Sequence, residues 1–133
     1  MLRSRIVLLV LLPALFLLMA FRQAPLVNPP SIAIPVKDTP EQASKSIKAA
    51  LLHGQWLVTL DNPGEIDGTL ARNEYSVSIA VSYDTSKIQI RYVDSSNLKY
   101  EKKNGVEYIH KNYLIWIRDL VAQIESNLLL FGS

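Results

Sequence analysis

The chain has 133 residues, with 14 basic and 12 acidic side chains, two histidines and no cysteine. The lack of cysteine excludes disulfides, thiolate metal ligation, a cysteine nucleophile and a cysteine-linked lipid. Residues 31–133 hold 11 bases against 12 acids, and no basic run is denser than Lys102-Lys103, which sets nucleic acid aside as a partner.

Arg3 and Arg5 precede an apolar run from Ile6 to Phe21, the charged-then-hydrophobic order of a secretory signal. Its 16 residues would span about 24 Å as a helix, short of the roughly 30 Å hydrocarbon core. Residues 1–24 are therefore expected to act as a signal peptide or signal anchor. They would deliver the rest of the chain to the periplasm, or hold it at the outer side of a membrane contacted through residues 6–21. Leu18-Met19-Ala20 is a poor cleavage site, and both outcomes stay open. Residues 25–30, with Asn28-Pro29-Pro30, read as a stiff extended spacer, and 31–133 as one domain.

Ile32, Ile34 and Val36 alternate with Ala33, Pro35 and Lys37, as in a strand with one buried face. Pro35 cannot donate a ladder hydrogen bond, so this is an edge strand at best. Thr39, Pro40 and Gln42 have the spacing of an N-cap, a first helical residue and a capping box. The helix they open runs to about His53, burying Ala43, Ile47, Ala50 and Leu51, with Gly54 ending it.

Four strands follow at short intervals. Trp56, Val58 and Leu60 alternate up to the turn Asp61-Asn62-Pro63-Gly64, and Ile66, Gly68 and Leu70 form the return. Tyr75, Val77, Ile79, Val81 and Tyr83 alternate with Ser76, Ser78, Ala80 and Ser82 without exception. After Asp84-Thr85-Ser86 the pattern resumes with Ile88, Ile90 and Tyr92. Connections this short make an antiparallel meander. Residues Asp94 to Glu107 read as an irregular crossing loop, although Asn104-Gly105 also allows a tight hairpin. The last element is a long helix with Ile109, Tyr113, Trp116, Ile117, Leu120, Ile124 and Leu128 on one stripe.

The expected fold is thus α+β: an antiparallel meander with both helices packed on one face, preceded by the hydrophobic N-terminal helix. The other face carries Ser76, Ser78, Ser82, Gln89, Arg91, Thr59 and Thr69, and is expected to meet water or a partner.

The stretches Tyr92-Val93-Asp94-Ser95-Ser96-Asn97-Leu98-Lys99-Tyr100 and Ile109-His110-Lys111-Asn112-Tyr113-Leu114-Ile115-Trp116-Ile117, with the hairpin from Trp56 to Tyr83, resemble a family of small uncharacterised envelope proteins of proteobacteria. Its members are commonly described as lipoproteins. The resemblance covers most of residues 40–130 and implies an envelope location, with no catalytic set to carry over. A lipoprotein of that kind would have a cysteine near Ala20, where this chain has Phe21.

His110, beside a loop holding Asp94, Ser95, Ser96 and Asn97, is the one residue that suggests catalysis, since a serine, histidine and aspartate within reach can perform acyl transfer. The plainer role for His110 is a helix-start hydrogen bond that locks the loop, and for His53 a favourable position near a helix end. Two histidines without cysteines, in no metal-binding spacing, argue against a metal, and five isolated glycines against a phosphate loop; no cofactor is expected. Trp56 and Trp116 lie on apolar stripes and are expected in the core rather than in a ligand groove. These features favour a non-catalytic extracytoplasmic module that binds another envelope component, protein or glycan, through Ser76, Ser78, Ser82, Gln89, Arg91 or the loop at Asn97. The alternative is a small hydrolase-like enzyme using His110 with Ser95 or Ser96.

Overall fold

A computed structural model describes residues 22–131. Its elements are β1 (Gln23–Pro25), β2 (Ile32–Ala33), α1 (Pro40–His53), β3 (Leu57–Asn62), β4 (Glu65–Arg72), β5 (Tyr75–Tyr83), β6 (Lys87–Ser96), β7 (Glu101–Lys103), β8 (Val106–His110) and α2 (Lys111–Phe131). They form an α+β domain of two antiparallel sheets and two helices. The expected N-terminal helix lies outside the described residues.

α1 begins where its capping chemistry requires. Gln42 N donates to Thr39 Oγ1 at 3.2 Å and Thr39 N to Gln42 Oε1 at 2.6 Å, so two of the amides that a helix start leaves unpaired are satisfied reciprocally. Gln42 Nε2 also donates to Phe131 O at 3.0 Å, which ties the start of α1 to the end of α2. Ala43, Ile47, Ala50 and Leu51 are buried, as their spacing predicts. The close approach of α1 to the sheet depends on Gly68, where an added Cβ would sit 3.1 Å from Leu51 Cδ2.

The larger sheet has the order β2-β6-β5-β4-β3. Its helix-covered face buries Ile66 and Leu70 on β4, Val77, Ile79 and Val81 on β5, and Ile88 and Ile90 on β6. Each such side chain contributes about 1.5 to 3 kcal/mol on burial. α2 joins this layer through Ile117, Leu120, Ile124 and Leu128, with Trp116 stacked on Tyr75 at 5.5 Å and Tyr113 edge-on to Tyr92 at 5.6 Å. Asn127 lies on the same stripe: its Nδ2 donates to Ser46 O at 3.0 Å, and its Oδ1 accepts from Gln123. At the sheet edge, Ile32 and Ile34 are buried whereas Val36 is fully exposed, because β2 ends at Ala33.

Several expectations need correction. Residues 94–107 are not an irregular loop: β6 runs on to Ser96, and β7 and β8 pair around Asn104 and Gly105, whose φ of 53° and 80° fit a two-residue hairpin turn. Ile109 belongs to β8 and α2 starts at Lys111, so His110 closes a strand rather than lying in the first helical turn. The second sheet, of order β1-β8-β7, was not foreseen, and β1 spans the boundary expected at residues 24 and 25. Nor is the stretch after Pro25 a free spacer: Leu26 N donates to Glu107 O at 2.8 Å, and Asn28 Oδ1 accepts from Tyr92 N at 3.0 Å.

Two register shifts decide which residues face the helices. Between Val58 and Leu60 the β3–β4 ladder slips, so Leu60 stands opposite Asp67 and Asp61 opposite Ile66. Leu60 therefore faces away from the helices, against the simple alternation, and Asp61 turns towards α1, where Lys48 Nζ meets its carboxylate at 3.1 Å. On β6 the shift leaves Val93 unpaired, with Tyr92 opposite Ile79 and Asp94 opposite Ser78. An unpaired residue of this kind is a β-bulge, and each one reverses the in-out parity downstream.

Candidate functional site

The sheet face opposite the helices is built by the register. Along β5, Ser76, Ser78, Ala80 and Ser82 form its central column. β4 supplies Ala71, Thr69, Asp67 and Glu65 opposite them in that order. β6 supplies Ser96, Asp94, Arg91 and Gln89 on the other flank. The structure thus brings Ser76, Ser78, Ser82, Gln89 and Arg91 onto one surface, as expected.

The chemistry of this face is hydroxyl-rich and lightly charged. Ser78 Oγ and Thr69 Oγ1 share a hydrogen bond of 2.9 Å across strands. Ala80 is only 4% exposed although it lies on the open side, since it sits in line between the longer Asp67 and Arg91. Leu57 is 69% exposed, and with Leu60 it makes the β3 border apolar. Asp67 Oδ1 is enclosed yet has no donor among the described residues. Leu60 and Asp67 were not foreseen here: alternation assigned Leu60 to the core, and nothing in the pattern marks the slip next to Thr59.

Asn97 does not join that surface. It follows β6 with φ of 59°, and its Nδ2 donates to Glu74 O at 2.6 Å, fastening the end of β6 to the β4–β5 turn. With Ser95, Lys99 and Tyr100 it lines an open depression of about 590 Å³.

Strand alternation separates the residues considered for catalysis, and the bulge at Val93 decides which face each one takes. Ser95 pairs with Val77 and faces the helix side, where its hydroxyl bonds the Tyr92 hydroxyl at 2.7 Å. Asp94 and Ser96 pair with Ser78 and Ser76 and face the open side. The His110 imidazole is engaged elsewhere: its Nδ1 accepts from Asn112 N at 3.0 Å, so it caps α2, while the backbone N–H of His110 donates to Leu98 O at 2.8 Å. Burial lowers its pKa, and the positive charges of Lys99, Arg22 and Lys111 lower it further. No hydrogen bond links His110 to Ser95, Ser96 or Asp94 among the described residues.

The surface has other hollows. One, of about 600 Å³, is an open groove between α1 and the β3–β4 turn, with Lys45, Lys48, Asp61 and Tyr83 on its walls. Another, of about 90 Å³, lies between Trp56 and Trp116, with Arg72, Asp119 and Gln123 around it. Trp56 is nonetheless 4% exposed and packs in the core. Among the described residues no group of three or more histidine, aspartate or glutamate side chains could hold a metal, and no helix is long and apolar enough to cross a membrane.

No family model, curated protein or solved structure matches this chain.

Proposed function

We propose that the protein is a non-catalytic module of the cell envelope, carried to the extracytoplasmic side by residues 6–21, that binds another envelope component through the open face of its larger sheet. The observation that carries this reading is the combination on that face of small hydroxyl side chains with the exposed Leu57 at its border. An exposed apolar border beside a hydroxyl-rich face favours use as a contact surface. The Tyr92–Ser95 bond and the cap made by His110 support a structural role for the serine and histidine that suggested a hydrolase. The resemblance to small envelope proteins is consistent with this location.

The test is Ser78→Arg, which plants a long cation at the centre of the face. The protein is expected to keep its far-UV circular dichroism spectrum and lose the partner that co-purifies with the wild type from membranes. A folded variant with an unchanged partner set would refute the assignment of the face.

A further inference from the structure

Arg22, the first residue after the apolar run in sequence, and two other cations occupy one corner of the domain. Arg22 stands one position after the run Ile6–Phe21, and no spacer follows, because Gln23 is already paired with His110 in the smaller sheet. Lys111 N donates to Arg22 O at 3.0 Å, His110 N to Leu98 O at 2.8 Å, and Gln23 Nε2 to Lys99 O at 2.7 Å. These bonds gather Arg22, Lys99 and Lys111 about His110, and all three are exposed. In sequence they are scattered over 90 positions, which is why no basic cluster is visible there.

Two further observations single this corner out. Lys99 is held at φ 55°, a left-handed conformation that favours glycine or asparagine, so a lysine there is kept at a cost in backbone energy. Glu101 is engaged with Gln23 and Lys103, and Glu107 with the Tyr100 hydroxyl. Neither Arg22 nor Lys99 forms an ion pair among the described residues. The far end of α2, about 30 Å away at 1.5 Å per residue, exposes Leu129 and Leu130 instead.

The geometry points to Arg22, Lys99 and Lys111 as a seat for the phosphate headgroups of an anionic phospholipid surface, which holds the smaller sheet against the membrane. This rests on the reading of residues 6–21 as membrane-inserted, and adds the orientation of the domain: β1, β8 and the start of α2 at the lipid, and the end of α2 away from it. Each cation near an anionic surface raises the docked population roughly five-fold, over a range set by the Debye length.

The chain has no cysteine, so Val106→Cys and Leu129→Cys each accept a single fluorophore, one in the β7–β8 hairpin and one at the far end of α2. Full-length protein is reconstituted in vesicles of phosphatidylcholine with or without phosphatidylglycerol, and quenching by headgroup-labelled lipid is measured. The label at 106 is expected to be quenched more strongly when phosphatidylglycerol is present. Salt, or Lys99→Gln with Lys111→Gln, should abolish the difference, while the label at 129 stays unquenched throughout. Equal quenching of the 106 label in both vesicles, or equal quenching of both labels, would overturn the seat. Protein that does not sediment with either vesicle would overturn the membrane reading of residues 6–21, and the seat with it.

Discussion

Tyr92 and Ser95 share a hydrogen bond of 2.7 Å between their hydroxyls although they stand three residues apart in one strand. In a regular strand residues at odd separation point to opposite faces. They meet because Val93 is unpaired and adds one residue to β6. The same step carries Asp94 and Ser96 to the open face and leaves Ser95 on the helix side.

A double-mutant cycle measures that pair. Tyr92→Phe and Ser95→Ala should each lower stability by about 1 kcal/mol, and the double variant by about the same, since either change removes the bond. Urea denaturation of the four proteins reads this directly, and additive losses would show that the two hydroxyls are not coupled.

The cap at His110 should make stability depend on pH. In the folded chain its pKa lies below the ordinary 6.5, first through burial and then through Lys99, Arg22 and Lys111. Between the lowered and the ordinary value the unfolded chain binds more protons than the folded one, so stability increases with pH across that window. It is complete above the ordinary value and falls as the pH drops through it. His110→Asn keeps an acceptor at the cap and should flatten the dependence between about pH 7 and 5, read as thermal midpoints.

The core layer predicts a graded response. Ile79, fully buried opposite Gly68 and Tyr92, should cost about 2 to 5 kcal/mol when changed to alanine. Trp116 is only partly buried, so Trp116→Ala should fall near the lower end of roughly 3 to 5 kcal/mol. Losses under about 1 kcal/mol in urea titrations would mean that neither side chain packs as described.

Much of this was readable because local chemistry and global packing agree. Thr39, Pro40 and Gln42 mark the start of α1 by spacing alone, and the alternation from Tyr75 to Tyr83 reports a strand with one covered face. What stayed hidden has physical reasons. A bulge inserts a residue without disturbing composition, so nothing at Thr59 or Val93 announces that Leu60 and Asp94 face the open side. β7 is Glu101, Lys102 and Lys103, charged and exposed throughout, and shows no alternation from which to infer a strand; only Asn104-Gly105 indicated the hairpin. β1 reads as a continuation of the leader because its pairing with β8 spans more than 80 positions of chain. The seat at Arg22, Lys99 and Lys111 exists only once that pairing forms. Asn127, polar on an apolar stripe, is explained only by its bond to Ser46.

The most direct test of the open face as the binding surface is photo-cross-linking in intact cells, with a photoreactive residue at Arg91 in one strain and at Glu125, exposed on α2, in another. Mass spectrometry should find one recurrent envelope adduct from position 91 and none from 125. Adducts from 125 alone, or the same adduct from both, would contradict the account.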